Sequence, residues 1–206
     1  MVVSFPAHGR VIVQAREEAG KFPQMLFASE RTHEQLLLSS IEDKDKWLIP
    51  EDDDSEEARP SLRFRVIHSR GFASPVIMSV GLFYGGSDNG FFLTTFGEVG
   101  GKIVRLNQKP YFTNVQGGYY LAYLNKRFNY GLAVWNFIWT RGAPHYTEHK
   151  YRIHIYQLRR GKFTQTFQTT SRKMYDLGRS ANSLRELGIS GSDQRSGIPR
   201  VQDAIK

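Results

Sequence analysis

The sequence predicts a mainly β protein, an antiparallel meander of about ten strands followed by a short C-terminal helix. Three observations lead to this fold class. Short apolar or alternating runs recur along the chain, bounded by Gly, Pro, Asn or Asp. The connections between these runs are short and turn-like, which favours antiparallel hairpins because parallel crossovers need a dozen or more residues. Helical periodicity is confined to one short segment near the end of the chain.

Eleven segments carry the strand pattern. Residues 62–67 alternate between apolar and basic side chains, which is typical of a half-buried strand. Residues 132–139 are apolar on both faces, as expected for a covered central strand. The predicted strands are 10–15, 24–28, 34–40, 62–68, 76–84, 91–96, 102–106, 119–124, 132–139, 151–158 and 163–169.

The helical signal lies in residues 183–187, where Gly188 is placed to end a helix of one or two turns. We therefore expect a single β domain over residues 1–178, followed at 179–206 by a short helix and a flexible tail. The tail from Ser190 to Lys206 is polar and contains Gly and Pro, so we expect it to be loosely ordered or docked on a partner.

A weak internal repeat relates two hairpin segments. Residues 91–103 align without gaps on residues 151–163, and each copy contains a Gly-Lys pair at a predicted turn. Related units over about 75–110 and 130–170 suggest propeller-like blades or two sandwich units. Two copies cannot close a propeller, which needs at least about four blades. The alternative interpretation is that unrelated hairpins look alike.

A family resemblance rests on the stretch Gly118-Tyr-Tyr-Leu-Ala-Tyr-Leu-Asn-Lys-Arg-Phe-Asn-Tyr-Gly-Leu-Ala-Val-Trp135, followed by Ile155-Tyr156 and Gly161-Lys162-Phe163. This pattern resembles FG-GAP/VCBS-type repeat segments over roughly residues 75–175. The resemblance implies a β-rich fold of bacterial type. It does not imply bound calcium, because Lys126 and Arg127 occupy the loop where those repeats carry carboxylates.

Composition excludes several kinds of chemistry and shows an uneven charge distribution. The 206 residues include no cysteine, which removes disulfides, thiolate zinc sites, iron–sulfur clusters and cysteine nucleophiles. The net charge of +8 combines −6 over residues 1–60 with +14 over residues 61–206. The acidic run 51–60 predicts a solvated loop, since it lacks the glycine and spacing of a calcium loop. No apolar run is long enough for a membrane helix, and the start lacks a secretion-signal pattern, so we expect a soluble, cytoplasmic protein.

One motif suggests a metal. His145, Glu148 and His149 match the His-x-x-Glu-His pattern of inverted zinc peptidases. That chemistry needs a helix to bring both imidazoles to one face, whereas Pro144 precedes the motif and a period of two follows it. In an extended strand residues 145 and 149 would lie roughly 13 Å apart, although a bent loop with His154 could bring them together. No cofactor is expected, and a zinc-dependent hydrolase is kept as an alternative.

Aromatic and basic residues supply the remaining candidates. Trp135, Phe137 and Trp139 share one predicted strand face, where they could stack on sugars or bases but are expected to form core. Cations accumulate beyond residue 149 with Tyr151, Tyr156 and Phe163 between them, a pattern that suits nucleic acid, another polyanion or an acidic protein surface. These cations are Lys150, Arg152, Arg159, Arg160, Lys162, Arg172, Lys173 and Arg179.

The chain has no cysteine nucleophile, and its zinc motif lacks the helix that zinc chemistry needs. Together with the acidic start and basic remainder of the chain, this indicates a non-catalytic protein-binding or structural subunit. We expect the partner to be another protein or a second copy of the chain. The first alternative is a polyanion- or nucleic-acid-binding β protein that uses residues 150–179.

Overall fold

The strands fall where the hydrophobic pattern predicts them. The computed structural model describes residues 11–16, 24–29, 32–39, 62–67, 76–83, 90–114, 116–144 and 147–190. The predicted acidic loop at 51–60 and the tail beyond residue 190 lie outside these described residues. The strands are β1 Val11–Arg16, β2 Gln24–Ser29, β3 Gln35–Ser39, β4 Leu62–Ile67, β5 Val76–Phe83, β6 Gly90–Val99, β7 Lys102–Arg105, β8 Tyr111–Asn114, β9 Gly118–Asn125, β10 Asn129–Phe137, β11 Tyr151–Arg159 and β12 Lys162–Thr170.

Strand β8 is the one described strand without a sequence prediction. It spans four residues, Tyr111–Asn114, directly after Pro110, and four residues are too few for an alternation pattern to stand out. The C-terminal helix is confirmed but is longer than predicted, since it is a 3-10 helix over Leu177–Leu187. Its first turn escaped prediction because Gly178 and Ser180 carry low helix propensity.

The chain groups into two compact units, Met1–Gly81 with Phe92–Pro110 and Leu82–Phe91 with Tyr111–Lys206. In the first unit, β1, β2 and β3 form one sheet in sequential order, and a second sheet has the order β4-β5-β6-β7. The Phe27 and Phe96 rings stack at 5.6 Å between centroids, and Ser29 Oγ donates to Glu98 Oε2 at 3.1 Å. These contacts join the two sheets of that unit.

A buried asparagine organises the end of the first unit. The side chain of Asn107 accepts hydrogen bonds from Thr95 N at 2.8 Å and from Thr95 Oγ1 at 3.0 Å. Its amide nitrogen donates to the carbonyl oxygens of Leu93 at 3.3 Å and Lys109 at 2.7 Å. A buried amide with all these partners holds the chain after β7 against β6, because leaving any one of them unpaired would cost free energy.

The second unit contains a four-stranded antiparallel sheet in the order β12-β11-β10-β9. One face of this sheet is apolar, with Trp135, Tyr151 and Ile153 fully buried. The 3-10 helix covers that face through Ala181 and Leu184, which belong to the same cluster. A spacing of three residues places these side chains in one row, because a 3-10 helix has three residues per turn.

The two segments of the predicted repeat form hairpins with the same turn. In β6–β7 the loop residues Gly100 and Gly101 have φ of 59° and 84°, and Val99 pairs with Lys102. In β11–β12 the loop residues Arg160 and Gly161 have φ of 51° and 75°, and Arg159 pairs with Lys162. Positive φ at both loop positions is the mark of the tight turn that matches strand twist.

The sheets of the described segments remain open. Every strand register given by the structure is antiparallel, and these strands form neither a propeller nor a closed sheet. Among the same residues, no helix has the length and apolar content that crossing a membrane requires.

Candidate cationic surface

The eight predicted cations are all exposed. Arg179 lies on the 3-10 helix, and strand register divides the other seven into two groups. Arg159, Arg160 and Lys162 surround the β11–β12 turn, and we call them the hairpin-tip cations. At the opposite end of these strands lie the sheet-end cations, which are Lys150, Arg152, Arg172 and Lys173. Arg152 and Arg159 are separated by roughly 24 Å along β11, given the rise per residue of a strand. The cations therefore form two surfaces and not one continuous patch.

The three aromatic residues that interleave with these cations in sequence are buried or packed against another ring. Tyr151 is fully buried on the helix-covered face, and Phe163 is buried as well. Tyr156 packs against Tyr111 with ring centroids 4.3 Å apart. All three rings therefore contribute to packing, although Tyr156 lies on the same sheet face as Arg152 and His154.

Few carboxylates accompany the cations in this part of the chain. Residues 111–190 contain twelve Lys and Arg against three Asp and Glu, which are Glu148, Asp176 and Glu186. Asp176 forms a salt bridge with Arg179 at 3.7 Å. Within the described part of this unit, the hairpin-tip and sheet-end cations form no salt bridge. An excess of exposed positive charge raises the local potential for anionic partners.

Glu186 serves an internal role beside the sheet-end cations. Its carboxylate accepts hydrogen bonds from Arg172 N at 2.6 Å, Lys173 N at 3.0 Å and Tyr175 Oη at 2.7 Å. Burial opposes ionisation of this carboxyl, but the two backbone N–H groups, the Tyr175 hydroxyl and the Arg172 charge together lower its pKa below the usual range. Burial and the Glu186 hydrogen bond in turn raise the pKa of Tyr175 to about 12. Glu186 thus fixes the backbone that follows β12 to the 3-10 helix.

The exposed face of β11 and β12 is polar. Arg152 lies opposite Thr170, His154 opposite Gln168 and Tyr156 opposite Gln165 in the antiparallel register. Three side chains on this face are linked to one another. His154 Nδ1 lies 3.0 Å from Gln165 Oε1, and Gln165 Nε2 donates to Gln168 Oε1 at 3.3 Å. No candidate site predicted from the sequence included these glutamines, although Thr and Gln make up six of the seven residues 164–170.

The three aromatic residues predicted on one strand face have different environments. Trp135 is 1% exposed and belongs to the core, and its indole Nε1 donates to Ser180 Oγ at 3.3 Å. Phe137 packs partly buried against the same cluster. Trp139 lies beyond the end of β10 and is 50% exposed, with its ring 5.8 Å from that of Phe137. The core expectation is right for Trp135 and Phe137 and wrong for Trp139.

The candidate zinc motif is only partly described. His145 lies outside the described residues, and Glu148 is exposed. His149 is 1% exposed and forms an isolated β-bridge with Tyr175, through His149 N to Tyr175 O at 3.0 Å and Tyr175 N to His149 O at 2.9 Å. Its Nε2 lies 3.2 Å from the carbonyl oxygen of Pro144. His149 therefore occupies extended backbone and not a helix, and among the described residues no three His, Cys, Asp or Glu are grouped to hold a metal ion. A zinc site that includes His145 stays a prediction.

The segment that the predicted resemblance aligns with a calcium loop is a tight turn between β9 and β10. Asn125 Oδ1 accepts hydrogen bonds from Arg127 N and Phe128 N, both at 2.9 Å. The Arg127 guanidinium lies over the rings of Phe128 at 4.9 Å and Phe167 at 4.7 Å. An amide and a cation thus fill the positions where a calcium loop would present carboxylates.

Comparison with known proteins identifies no relative of this chain. No protein-family model matches the chain, and neither curated proteins nor solved structures yield a match. The resemblance to FG-GAP/VCBS-type segments accordingly stays a prediction from the sequence.

Proposed function

We propose that the chain is a non-catalytic protein-binding subunit that contacts an acidic surface of its partner through the sheet-end cations. One observation carries the proposal: Lys150, Arg152, Arg172 and Lys173 are all exposed at one end of the sheet. Two of the three carboxylates in residues 111–190 are already engaged, Glu186 by backbone N–H groups and Asp176 by Arg179. An acidic protein surface would supply the missing counter-charge.

Titration with defined polyanions tests this proposal. Poly-L-glutamate should bind at low salt and weaken as salt rises, because screening acts on exposed charges. Replacing Lys150, Arg152, Arg172 and Lys173 together by Gln should abolish this binding. The matched control replaces the hairpin-tip cations Arg159, Arg160 and Lys162 by Gln and should retain most of it. Equal losses in both variants would contradict a specific sheet-end surface. Co-purification from the native source with mass spectrometry would then identify the partner.

A second candidate function is binding of single-stranded nucleic acid, and the exposure of Trp139 favours it. Trp139 follows Ile138, whose N–H donates to Lys150 O at 2.7 Å, and Arg141 lies two residues further along the chain. The exposed indole could stack on a base while these cations contact phosphates. This alternative predicts that single-stranded DNA binds more tightly than poly-L-glutamate of equal charge and quenches tryptophan fluorescence. It also predicts that Trp139→Ala removes the difference, whereas an acidic protein partner requires no such preference.

We propose in addition that the hairpins β6–β7 and β11–β12 belong to two related sandwich-like units. Support comes from the gapless alignment of residues 91–103 with 151–163 and from the equivalent two-residue turns at Gly100-Gly101 and Arg160-Gly161. Exchanging the turn residues between the hairpins should leave the thermal midpoint within a few degrees, because both positions accept positive φ. Loss of folding on this exchange would count against the relationship.

A further inference from the structure

Strand β12 lies at the edge of its sheet. In the described part of the chain β12 pairs only with β11, and five of its nine residues are exposed. Edge strands present a row of backbone donors and acceptors to which another strand can add, and proteins usually protect them with charges, proline or bulges. Here the only charged residue of β12 is Lys162 at the turn. The bulge falls at Thr166, between Gln165 and Phe167, which pair with Tyr156 and Ile155. The segment from Phe167 to Thr170 carries none of these protections.

Two hydrogen bonds establish which backbone groups of β12 point away from the sheet. Ser171 N donates to Tyr151 O at 2.8 Å, so the amide of Ser171 points toward β11. Ile138 N donates to Lys150 O at 2.7 Å, so Lys150 and, by alternation, Arg152 direct their backbone groups toward β10. Both bonds lead to the same result, because alternation then turns the N–H and C=O groups of Thr170 and Gln168 away from β11. Thr169 Oγ1 makes a long bond of 3.4 Å to Thr170 O, which uses one of the two lone pairs of that oxygen.

The side chains at this edge favour an extended partner. Thr164, Thr166, Thr169 and Thr170 are β-branched, and no glycine or proline interrupts β12. Gln168 and Gln165 are exposed and already bonded to each other, so they present amides along the same face. A polar, β-branched edge of this kind pairs through its backbone rather than through an apolar pocket.

Charge selects the partner strand. A residue added opposite Thr170 would project onto the same face as Arg152, in the row Asn136–Arg152–Thr170. Adjacent strands lie about 4.8 Å apart, so the added residue would be about 10 Å from Arg152 at the backbone, with only the small Thr170 between them. A Glu or Asp at that position can meet the Arg152 guanidinium across Thr170. Arg172 and Lys173 continue the positive charge directly beyond the paired segment.

We propose that the Phe167–Thr170 segment of β12 binds an extended acidic segment of a partner protein by β-strand addition. The backbone groups of Gln168 and Thr170 supply the pairing, and Arg152 with the other sheet-end cations selects carboxylates. This inference rests on the proposed function above, because it takes the partner to be an acidic protein, and it adds the mode of contact and the backbone groups that make it.

The probe is a synthetic nine-residue peptide of alternating Glu and Val, compared with the same peptide methylated at alternate backbone nitrogens. Methylation keeps the charge but removes pairing hydrogen bonds, so the methylated peptide should bind roughly tenfold more weakly. On binding of the unmodified peptide, amide hydrogen exchange at Gln168 and Thr170 should slow, whereas Thr169, which already faces β11, should be unchanged. This measurement needs no variant of the protein.

Two variants separate the pairing from the charge. Gln168→Pro removes an N–H that points outward, so the sheet keeps its internal bonds while the peptide should bind roughly tenfold more weakly. Arg152→Gln should weaken binding of the acidic peptide and reduce its salt dependence. Equal affinities for the methylated and the unmodified peptide would overturn strand addition. If both peptides then bound in a salt-dependent way, the proposed function would still hold. Absence of binding by either peptide and by poly-L-glutamate would overturn both.

Discussion

The side-chain amide of Asn125 donates a hydrogen bond of 2.8 Å to the carbonyl oxygen of Leu187. This bond joins the β9–β10 turn to the last residue of the 3-10 helix, 62 positions further along the chain. The same asparagine accepts two bonds from its own turn through Oδ1. One side chain therefore shapes a local turn and satisfies a helix carbonyl that has no partner within the helix.

Replacing Asn125 separates these two roles. We expect Asn125→Ala to lower the free energy of unfolding by about 1–3 kcal/mol, because three hydrogen bonds are lost. Asn125→Asp keeps the acceptor but cannot donate to Leu187, and we expect a loss of about 1–2 kcal/mol. Urea unfolding measures both, with Lys126→Ala at the neighbouring exposed position as the control. An aspartate variant as stable as the parent would show that the bond to Leu187 contributes nothing.

Gly118 is predicted to be intolerant of a side chain. It lies opposite Trp135 in the β9–β10 register, and a Cβ at this position would overlap the indole ring. Gly118→Ala should cost about 1–3 kcal/mol through overpacking of the core. Gly178→Ala is the matched control, since its Cβ would meet only Asp176 Oδ1 at an ordinary 3.7 Å. Chemical denaturation of the two variants should give clearly different midpoints, and similar midpoints would contradict the steric argument.

Acid should weaken the attachment of the 3-10 helix through Glu186. The pKa of Glu186 is lowered in the folded protein, so its contribution is present above the unfolded pKa of about 4.3 and is lost as pH falls through the lower folded value. Urea midpoints measured between pH 7 and 3 should fall less steeply in Glu186→Gln than in the parent. Glu148→Gln, at an exposed carboxylate, is the control and should follow the parent.

Alkali should reveal the buried tyrosines. Burial and the nearby charge of Asp176 raise the pKa of Tyr151 to about 12, and burial and Glu186 raise that of Tyr175 to about 12. Burial also raises the pKa of Tyr111, with a smaller effect from Tyr156. A raised folded pKa means that the contribution to stability is present below about pH 10 and is lost as pH rises through the folded value.

Ultraviolet titration of tyrosinate checks this expectation. Part of the absorbance change should appear only above the range in which the urea-unfolded chain titrates, near pH 10. Tyr175→Phe should remove one of the late-titrating groups. A single transition near pH 10 in the native protein would contradict the burial argument.

Local pattern was sufficient for much of the fold. Alternation and turn residues predicted every described strand except β8, and Gly188 ends the 3-10 helix with φ of 71° as its position in the sequence indicated. These features depend on neighbours within a few residues, such as the period of a strand and the freedom of glycine to adopt positive φ. The four residues of β8 carry too little pattern, and that strand is positioned by tertiary bonds such as Thr113 Oγ1 to Trp135 O at 3.1 Å.

The candidate surface depended far more on distant contacts. The basic and aromatic residues beyond 149 lie close together in sequence, but β11 places Arg152 and Arg159 near its two ends and directs the Tyr151 side chain into the core. Local pattern could not predict that Glu186 accepts hydrogen bonds from the backbone N–H groups of Arg172 and Lys173. These groups come within reach only when the helix packs on the sheet.

By itself, the sequence determined the β class, the strand positions, the tight turns and the excess of positive charge beyond residue 60, since each follows from local conformation or composition. Only the tertiary structure decided that β12 is an edge, that the cations divide between the two ends of one hairpin, and that Trp139 is exposed while Trp135 is not. These features depend on which strands become neighbours and which face the helix covers, and such long-range choices leave no periodic trace in the chain.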